Sequence, residues 1–277
     1  MRKLAPTCGL LLLPIVLSAQ SQSSSVPIKL RHLTLVRTSQ ISAAEQQQIA
    51  AEINSLAVFP DSVAGIGERL IYTLQERGFF KASVWDSAVT IVSSGPSEEM
   101  VDVSYELNLG ERYRLQEITF SNVDPKKGLE FSANDLRHSF PITDGEIFDT
   151  GKIRVGLEKL RELYANKGYI NFIAVPNTEA DDQSATIALR IDLDEGVVYR
   201  LGKLVLDGVE PVAGAGANLI EAWKPYEGRV YNPNLLQNFM QENTAFLPRN
   251  AQLFPISPDA LHRVLNVLLE FDDPPTN

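Results

Sequence analysis

Apolar residues recur three times along this chain with the same spacing, i, i+3 and i+5. The pattern begins at Leu30, Leu115 and Leu201, so its copies are 85 and 86 residues apart. The second and third copies also share the preceding residues Gly-x-x-Tyr-Arg, which start at Gly110 and Gly196. A period of this length indicates repeated small modules and not one large core.

Within the first repeat, the apolar spacing predicts two helices between an opening strand and a final pair of strands. A Ser-x-x-Glu capping box at 42–45 begins the first helix. Asp61 can cap a second amphipathic helix, for which Gly78 supplies the left-handed end. Residues 81–92 fit a second strand, and 101–109 alternate apolar with polar, as in a strand with one buried face. The predicted order is β-α-α-β-β.

The second repeat follows the same order with stronger signals. Asp149 can cap its second helix, Gly168 ends that helix, and residues 187–193 alternate apolar with polar. In the third repeat Asn232-Pro233 begins the equivalent helix, but Phe246-Leu-Pro248 stands where a Gly-aromatic pair is expected. We therefore predict a short or displaced second strand there. The predicted modules are 26–110, 111–196 and 197–277, of which the third is degenerate.

The N-terminus precedes these modules and has the pattern of a secretory signal. Arg2 and Lys3 are followed by an apolar run and then by Ser-Ala-Gln at 18–20, so we predict a signal peptide at 1–19 and a polar linker at 20–25. The alternative is a transmembrane anchor. Such an anchor needs about 20 apolar residues, and Pro14 interrupts this run.

Composition and motifs argue against several classes of function. The formal charge is −10 and no basic stripe occurs, which disfavours nucleic acid as a partner. The single cysteine lies in the predicted signal, and the three histidines have no companions at metal-ligand spacing. Asp181 and Asp182 fit a solvated hairpin turn. No phosphate-binding or nucleophile-elbow motif is complete, so we expect no catalysis, no cofactor, no metal and no small-molecule substrate.

The second repeat carries the residues of a recognisable family pattern. They are Phe148-Asp149, Leu163-Tyr164-x-x-x-Gly168-Tyr169, Val175-Pro176, the strand 187–193 and Glu195-Gly196-x-x-Tyr199. In this order they resemble POTRA domains, the polypeptide-transport-associated modules found in front of outer-membrane barrels of the Bam and Tam class and of two-partner secretion transporters. The first repeat matches most clearly at its helix end, and the third matches in its first half.

The resemblance implies an α+β fold, a tandem array of three βααββ modules in the periplasm. Each module would have a mixed three-stranded sheet with two antiparallel helices on one face. It also implies that one sheet edge is available to client chains, because an unpaired edge offers backbone donors and acceptors to an extended peptide. Our candidate edge residues are Lys81, Ser83, Trp85, Asn171, Ile173 and Val175. The alternative is that a neighbouring module covers these edges.

Four further residues are predicted to have structural roles. Gly78 and Gly168 are expected at positive φ at helix ends. Tyr113 and Tyr199 open successive repeats, and we expect them to pack in the core or between modules.

The predicted function is that of a non-catalytic periplasmic array, peripheral to the outer membrane, that assists outer-membrane protein assembly or secretion. Its expected partners are an outer-membrane barrel protein or unfolded barrel precursors. The chain ends at Asn277 without the strands of a barrel, so we do not expect it to form the pore itself. The alternative is a structural envelope scaffold that docks onto a division or cell-wall complex.

Overall fold

The computed structural model describes residues 28–55, 63–208, 213–248, 250–256 and 258–271. The predicted signal peptide, the linker, the Asp61 cap and the last six residues lie outside the described residues, so those predictions are not tested by the structure.

Three modules follow one another, and each has the strand and helix order predicted from the sequence. Module 1 contains β1 (Ile28–Val36), α1 (Ala43–Ser55), α2 (Val63–Gln75), β2 (Ser83–Ser94) and β3 (Glu99–Asn108). Module 2 contains β4 (Arg114–Asn122), α3 (Ala133–Arg137), α4 (Thr150–Ala165), β5 (Ile173–Asp181) and β6 (Thr186–Asp194). Module 3 contains β7 (Arg200–Asp207), α5 (Ala215–Trp223), α6 (Pro233–Glu242), β8 (Gln252–Pro255) and β9 (Val264–Glu270).

The last strand of each module lies at the centre of its sheet. The strand orders are β1-β3-β2, β4-β6-β5 and β7-β9-β8. Each central strand is parallel to the first strand of its module and antiparallel to the second. The α+β tandem fold with mixed three-stranded sheets is therefore confirmed, and the first and second strands of every module are edge strands.

Alternating residues of the central strands form the floor of each core. In β3 the side chains of Val101, Val103 and Leu107 are buried, while their neighbours are partly exposed. Helix residues such as Leu70 and Leu74 cover this floor in module 1, and both are fully buried. Because each module buries its own apolar cluster, the described part of the chain has three separate cores.

The helix starts depend on the polar residues that the sequence predicts. The Asp149 carboxylate accepts the Lys152 N–H at 3.0 Å, and the Asn232 side-chain oxygen accepts the Asn234 N–H at 2.9 Å. Module 3 departs from the other two in its second strand, since β8 has four residues and ends at Pro255. The predicted shortening of this strand is observed.

Candidate functional site

Two joints with the same backbone geometry link the modules. In the first joint, Gly78 has a φ of +91° and its carbonyl accepts the Tyr113 N–H at 2.9 Å. In the second, Gly168 has a φ of +87° and its carbonyl accepts the Tyr199 N–H at 2.9 Å. Both tyrosine side chains are buried. The glycine that ends a helix in one module thus also holds the start of the next.

The joints also contain two of the candidate edge residues. Lys81 precedes β2, and its Nζ lies 2.6 Å from Asp182 Oδ1, which also accepts a hydrogen bond from the Tyr113 hydroxyl. Asn171 precedes β5 and donates to the Tyr199 hydroxyl at 3.3 Å. Lys81 and Tyr113 lower the pKa of the Asp182 carboxyl. Asp182 therefore links module 2 to Lys81 of module 1. Its predicted place in a solvated turn does not reveal this role.

The other four candidate residues lie on the two edge strands. Ser83 and Trp85 are exposed on β2, and the Trp85 side chain keeps 70% of its accessible surface. Ile173 and Val175 lie on β5 with 56% and 48% exposed. Among the described residues, neither β2 nor β5 pairs with a strand on its outer side. Exposed apolar side chains on an open strand are available for pairing with another chain.

An apolar groove runs along β2 in module 1. It has a volume of about 900 Å³ and lies between α2 and β2, with Tyr105 of the central strand in its floor. Its walls include Ile71 and Tyr72 from the helix and Val84 and Val89 from the strand. Tyr72 and Val89 are 58% and 44% exposed. This surface is therefore an opening into the side of the module 1 core.

A small residue in α2 lines the groove of module 1. Gly67 stands 11 residues before the joint glycine Gly78, and Leu157 occupies the same place before Gly168 in module 2. Leu157 packs against the module 2 core. Gly67 has no side chain, and a Cβ built there would lie 3.3 Å from the Tyr105 hydroxyl. The groove in module 1 therefore has no side chain at the position that Leu157 fills in module 2.

The Tyr105 side chain in the floor of the groove is uncharged at neutral pH. Burial raises the pKa of its hydroxyl to about 12, partly offset by a hydrogen bond with the Gly67 backbone. At neutral pH the side chain is therefore protonated and adds polarity without charge. Glu68 is the one charged residue among the residues that line the groove.

Sequence reasoning missed the groove because its lining is drawn from separated segments. The helix residues Gly67 and Tyr72 and the strand residue Val89 were not candidates. One local signal does exist: the run Val89-Thr-Ile-Val92 is rich in apolar residues, yet all of β2 is exposed. Such a run at a sheet edge indicates a surface that another chain can cover.

Neither a metal-binding cluster nor a membrane-spanning helix is found among the described residues. They contain no group of three or more His, Cys, Asp or Glu side chains arranged to hold a metal. None of the described helices combines the length and the apolar character needed to cross a membrane.

The described residues thus form three βααββ modules in tandem, joined through glycine-tyrosine contacts, with sheet edges that no other described strand covers. Residues 113–196 match the POTRA family model, described as "Surface antigen variable number repeat". Among solved structures, the chain is similar to BamA POTRA3-5 from Haemophilus influenzae, with a TM-score of 0.60 and 16% identity, over 90% of this chain and 98% of that one.

Two further solved structures show a weaker likeness. POTRA1-3 of the periplasmic domain of Omp85 from Anabaena has a TM-score of 0.34 and 14% identity, over 87% of this chain and 93% of that one. BamA from Haemophilus ducreyi lacking POTRA domains 1-3 has a TM-score of 0.39 and 18% identity, over 57% of this chain and 30% of that one. The predicted resemblance to POTRA domains is confirmed, by the family model for 113–196 and by the Haemophilus influenzae fold for the array.

Proposed function

We propose that this protein is a non-catalytic periplasmic POTRA array that binds extended segments of partner proteins at its sheet edges. In this way it assists outer-membrane protein assembly or secretion, peripheral to that membrane. The partners are unfolded barrel precursors or an outer-membrane barrel protein. The single observation that carries the proposal is β2, an unpaired edge strand whose 12 residues are all exposed.

The physical basis is strand addition at an edge. An extended segment placed beside an open edge strand such as β2 satisfies its backbone donors and acceptors on that strand, and this gives affinity with little dependence on sequence. Exposed apolar side chains such as Trp85 and Ile173 add buried apolar area on binding, at roughly 25 cal/mol per Å². A protein that must hold many different unfolded chains benefits from both properties.

Site-specific photo-crosslinking in cells tests the proposal. A photoreactive residue is placed at Ser83, Trp85, Ile173 or Val175, and as a matched control at Lys159, which is exposed on α4 away from either edge. We expect barrel precursors or a barrel protein to be crosslinked from the β2 positions, from the β5 positions or from both, and not from Lys159. Equal adducts at Lys159, or none at the edges, would overturn the proposal. Division or cell-wall proteins in the adducts would favour the scaffold alternative.

A further inference from the structure

The backbone of β2 directs a regular row of N–H and C=O groups away from its own sheet. The Gly95 N–H donates to the Glu98 carbonyl at 3.0 Å, so even-numbered residues of β3 face β2. Ser87, Val89 and Ile91 are opposite the odd-numbered Tyr105, Val103 and Val101. Their N–H and C=O groups therefore point outward. β2 has bulges at Val84/Asp86 and at Ile91/Ser93, and its pairing with β3 is regular between them, from Asp86 to Ile91.

In module 2 a proline interrupts the equivalent row. The Val123 N–H donates to the Leu193 carbonyl at 3.0 Å, so odd-numbered residues of β6 face β4 and even-numbered ones face β5. Pro176 is opposite Ile191, and its nitrogen consequently points outward. Proline has no N–H and is tolerated at edges in this orientation. An incoming strand finds no donor at the centre of β5.

Module 3 has the same interruption on a shorter strand. The Ile256 N–H donates to the Asn266 carbonyl at 2.9 Å, so even-numbered residues of β9 face β8. Pro255 is opposite Val267 and also points outward. The opposite edges of the three sheets are formed by β1, β4 and β7, and each of these strands contains a bulge. Bulges and prolines both disturb pairing at an edge. Because β2 also contains bulges, the outward proline is the feature that distinguishes β5 and β8 from β2.

The β2 edge has a weaker protection, which a partner can displace. The outward N–H of Ser87 donates to the carboxylate of Asp86 at 2.8 Å. Ser87 is opposite Tyr105, and Pro176 is opposite Ile191, the corresponding residue of the module 2 central strand. At this position β5 has no N–H donor. In β2 the donor is present, and it is hydrogen-bonded to the exposed Asp86 carboxylate.

Charge decides what kind of chain fits this edge. Glu68 lines the groove beside β2 and forms no ion pair with another described residue, and Asp86 lies on the same edge. A second copy of this chain, with a formal charge of −10, would bring like charges together at β2. A suitable partner segment has alternating apolar residues, which contact the apolar walls of the groove, and a basic residue opposite Glu68, which complements its charge.

We infer that β2 of module 1 is the one second strand of the three modules that accepts an added strand, that the Asp86 carboxylate competes with that strand for the Ser87 N–H, and that the added strand is an extended apolar segment of a partner protein carrying a basic residue. This inference rests on the proposed function. It assigns strand addition to one module and leaves β5 and β8 closed by Pro176 and Pro255.

Three synthetic peptides of about eight residues, an ordinary strand length, test this with the full chain. Each alternates Val with Thr and carries Thr, Lys or Glu at its centre. Binding is measured by fluorescence anisotropy, and hydrogen exchange locates the peptide. We expect slower exchange at the Val89 and Ile91 amides and unchanged exchange at Ala174 and Thr178. The Lys peptide should bind more tightly than the Glu peptide, and Glu68→Lys should reverse that order.

Three further variants test the Asp86 carboxylate and the edge strands separately. Asp86→Ala frees the Ser87 N–H. It should raise the affinity of the neutral peptide about two- to tenfold, which corresponds to the net free energy of one hydrogen bond. Val89→Pro removes an outward donor without removing a ladder bond to β3, and should weaken binding about tenfold or more. Pro176→Thr restores the donor on β5 and should create a second binding site.

The outcomes distinguish the inference from the proposed function. Protection of β5 or β8 amides in the unmodified chain would overturn the inference and leave edge binding by the array intact. An unchanged peptide affinity of the Asp86→Ala variant would show that the Asp86 carboxylate does not compete with the peptide for the Ser87 N–H. Protection of β2 that depends on protein concentration without peptide would make a second copy the occupant and overturn our choice of partner. Failure of every peptide to bind any edge would overturn edge binding itself, and with it the proposed function.

Discussion

Gly168 is subject to two separate constraints. Its φ of +87° lies in the left-handed region, and a Cβ built on it would lie 2.9 Å from both the Tyr199 carbonyl oxygen and Val230 Cγ1 of module 3. The first constraint belongs to the helix end and the second to the joint. A substitution at Gly168 should therefore lower the free energy of unfolding by more than backbone strain alone would.

We predict that Gly168→Ala destabilises the chain by about 2 to 4 kcal/mol, since left-handed strain of about 1 to 2 kcal/mol is combined with overpacking of similar size. Gly145→Ala is the matched control, because Gly145 has a φ of +85° but no atom within 4 Å of its Cβ position. It should cost about 1 to 2 kcal/mol. Urea unfolding monitored by Trp223 fluorescence and by circular dichroism compares them. Equal losses would show that the joint contact adds nothing.

Asp182 gives the first joint a dependence on pH. Its pKa is lowered by Lys81 first and by Tyr113 second, so the folded state binds the acidic proton less readily than the unfolded state. The stabilisation is present above the unfolded carboxyl pKa of about 3.9 and is lost as the pH falls through the lower folded value. The side chain is largely exposed, with 64% accessible, so salt weakens the effect.

Lys81→Met should therefore raise the pKa of the Asp182 carboxyl towards about 3.9, because the largest cause of its depression is removed. An NMR titration of the carboxyl carbon measures this directly. Lys152→Met is the control: Lys152 Nζ lies 3.2 Å from Glu146 and does not contact Asp182. A pKa of Asp182 that is the same in all three chains would contradict the assignment.

At the residue level, sequence reasoning succeeds where a role depends on near neighbours in the chain. Gly78 and Asp149 are recognised because helix ends have local chemistry. Lys81 and Asp182 are 101 residues apart, and no local pattern predicts that their charges meet. Tyr113 and Tyr199 are recognisable as repeated positions, but their hydroxyl partners differ because one joint contains Asp182 and the other Asn171.

At the level of elements, helix α6 illustrates how one cap can serve two modules. Asn232 accepts the Asn234 N–H at 2.9 Å, and its side-chain nitrogen donates to the Asn166 carbonyl of module 2 at 3.2 Å. The carboxylate side chain of the equivalent Asp149 has no N–H to donate. The start of α6 is thus tied to the end of α4 as well as to its own backbone.

Asn232→Ala should destabilise module 3 by about 1 to 2 kcal/mol, since a cap is worth about 1 kcal/mol and a second hydrogen bond adds about 1 kcal/mol. Asn232→Ser keeps an acceptor for the cap but loses the donor to Asn166, so it should recover about 1 kcal/mol. Urea unfolding followed by the fluorescence of Trp223, which is buried in module 3, measures both. Equal losses in the two variants would mean that the contact with module 2 dominates.

The order of elements could be predicted from the sequence, whereas the groove could not. The alternation at 101–109 and the helix-ending glycines recur in order, and these local signals define the βααββ units. The groove depends on Gly67 facing Tyr105 across two elements, and on which way each edge residue points. That direction is fixed by a register that hydrogen bonds such as Gly95 to Glu98 establish. The five-residue length of α3 also has no evident local cause.

For the whole molecule, the two joints differ in their electrostatics although their backbones agree. Among the described residues, three ion pairs connect module 1 with module 2: Lys81–Asp182 at 2.6 Å, Arg112–Glu45 at 3.0 Å and Arg154–Glu76 at 3.8 Å. Between modules 2 and 3, the described residues form neutral side-chain contacts, Asn171 to Tyr199 and Asn232 to the Asn166 carbonyl. Salt should consequently act on one joint and spare the other.

We predict that about 1 M salt, where the Debye length is about 3 Å, loosens the first joint and leaves the second unchanged. Because Cys8 is the only cysteine, a Cys8→Ser background accepts pairs of spin labels at the exposed residues Glu98, Lys159 and Leu261. The distance distribution between labels at 98 and 159 should broaden with salt, while that between 159 and 261 should not. Equal broadening of both pairs would mean that the ion pairs do not hold module 1 in place, and that the shared glycine-tyrosine contacts alone set the stiffness of the array.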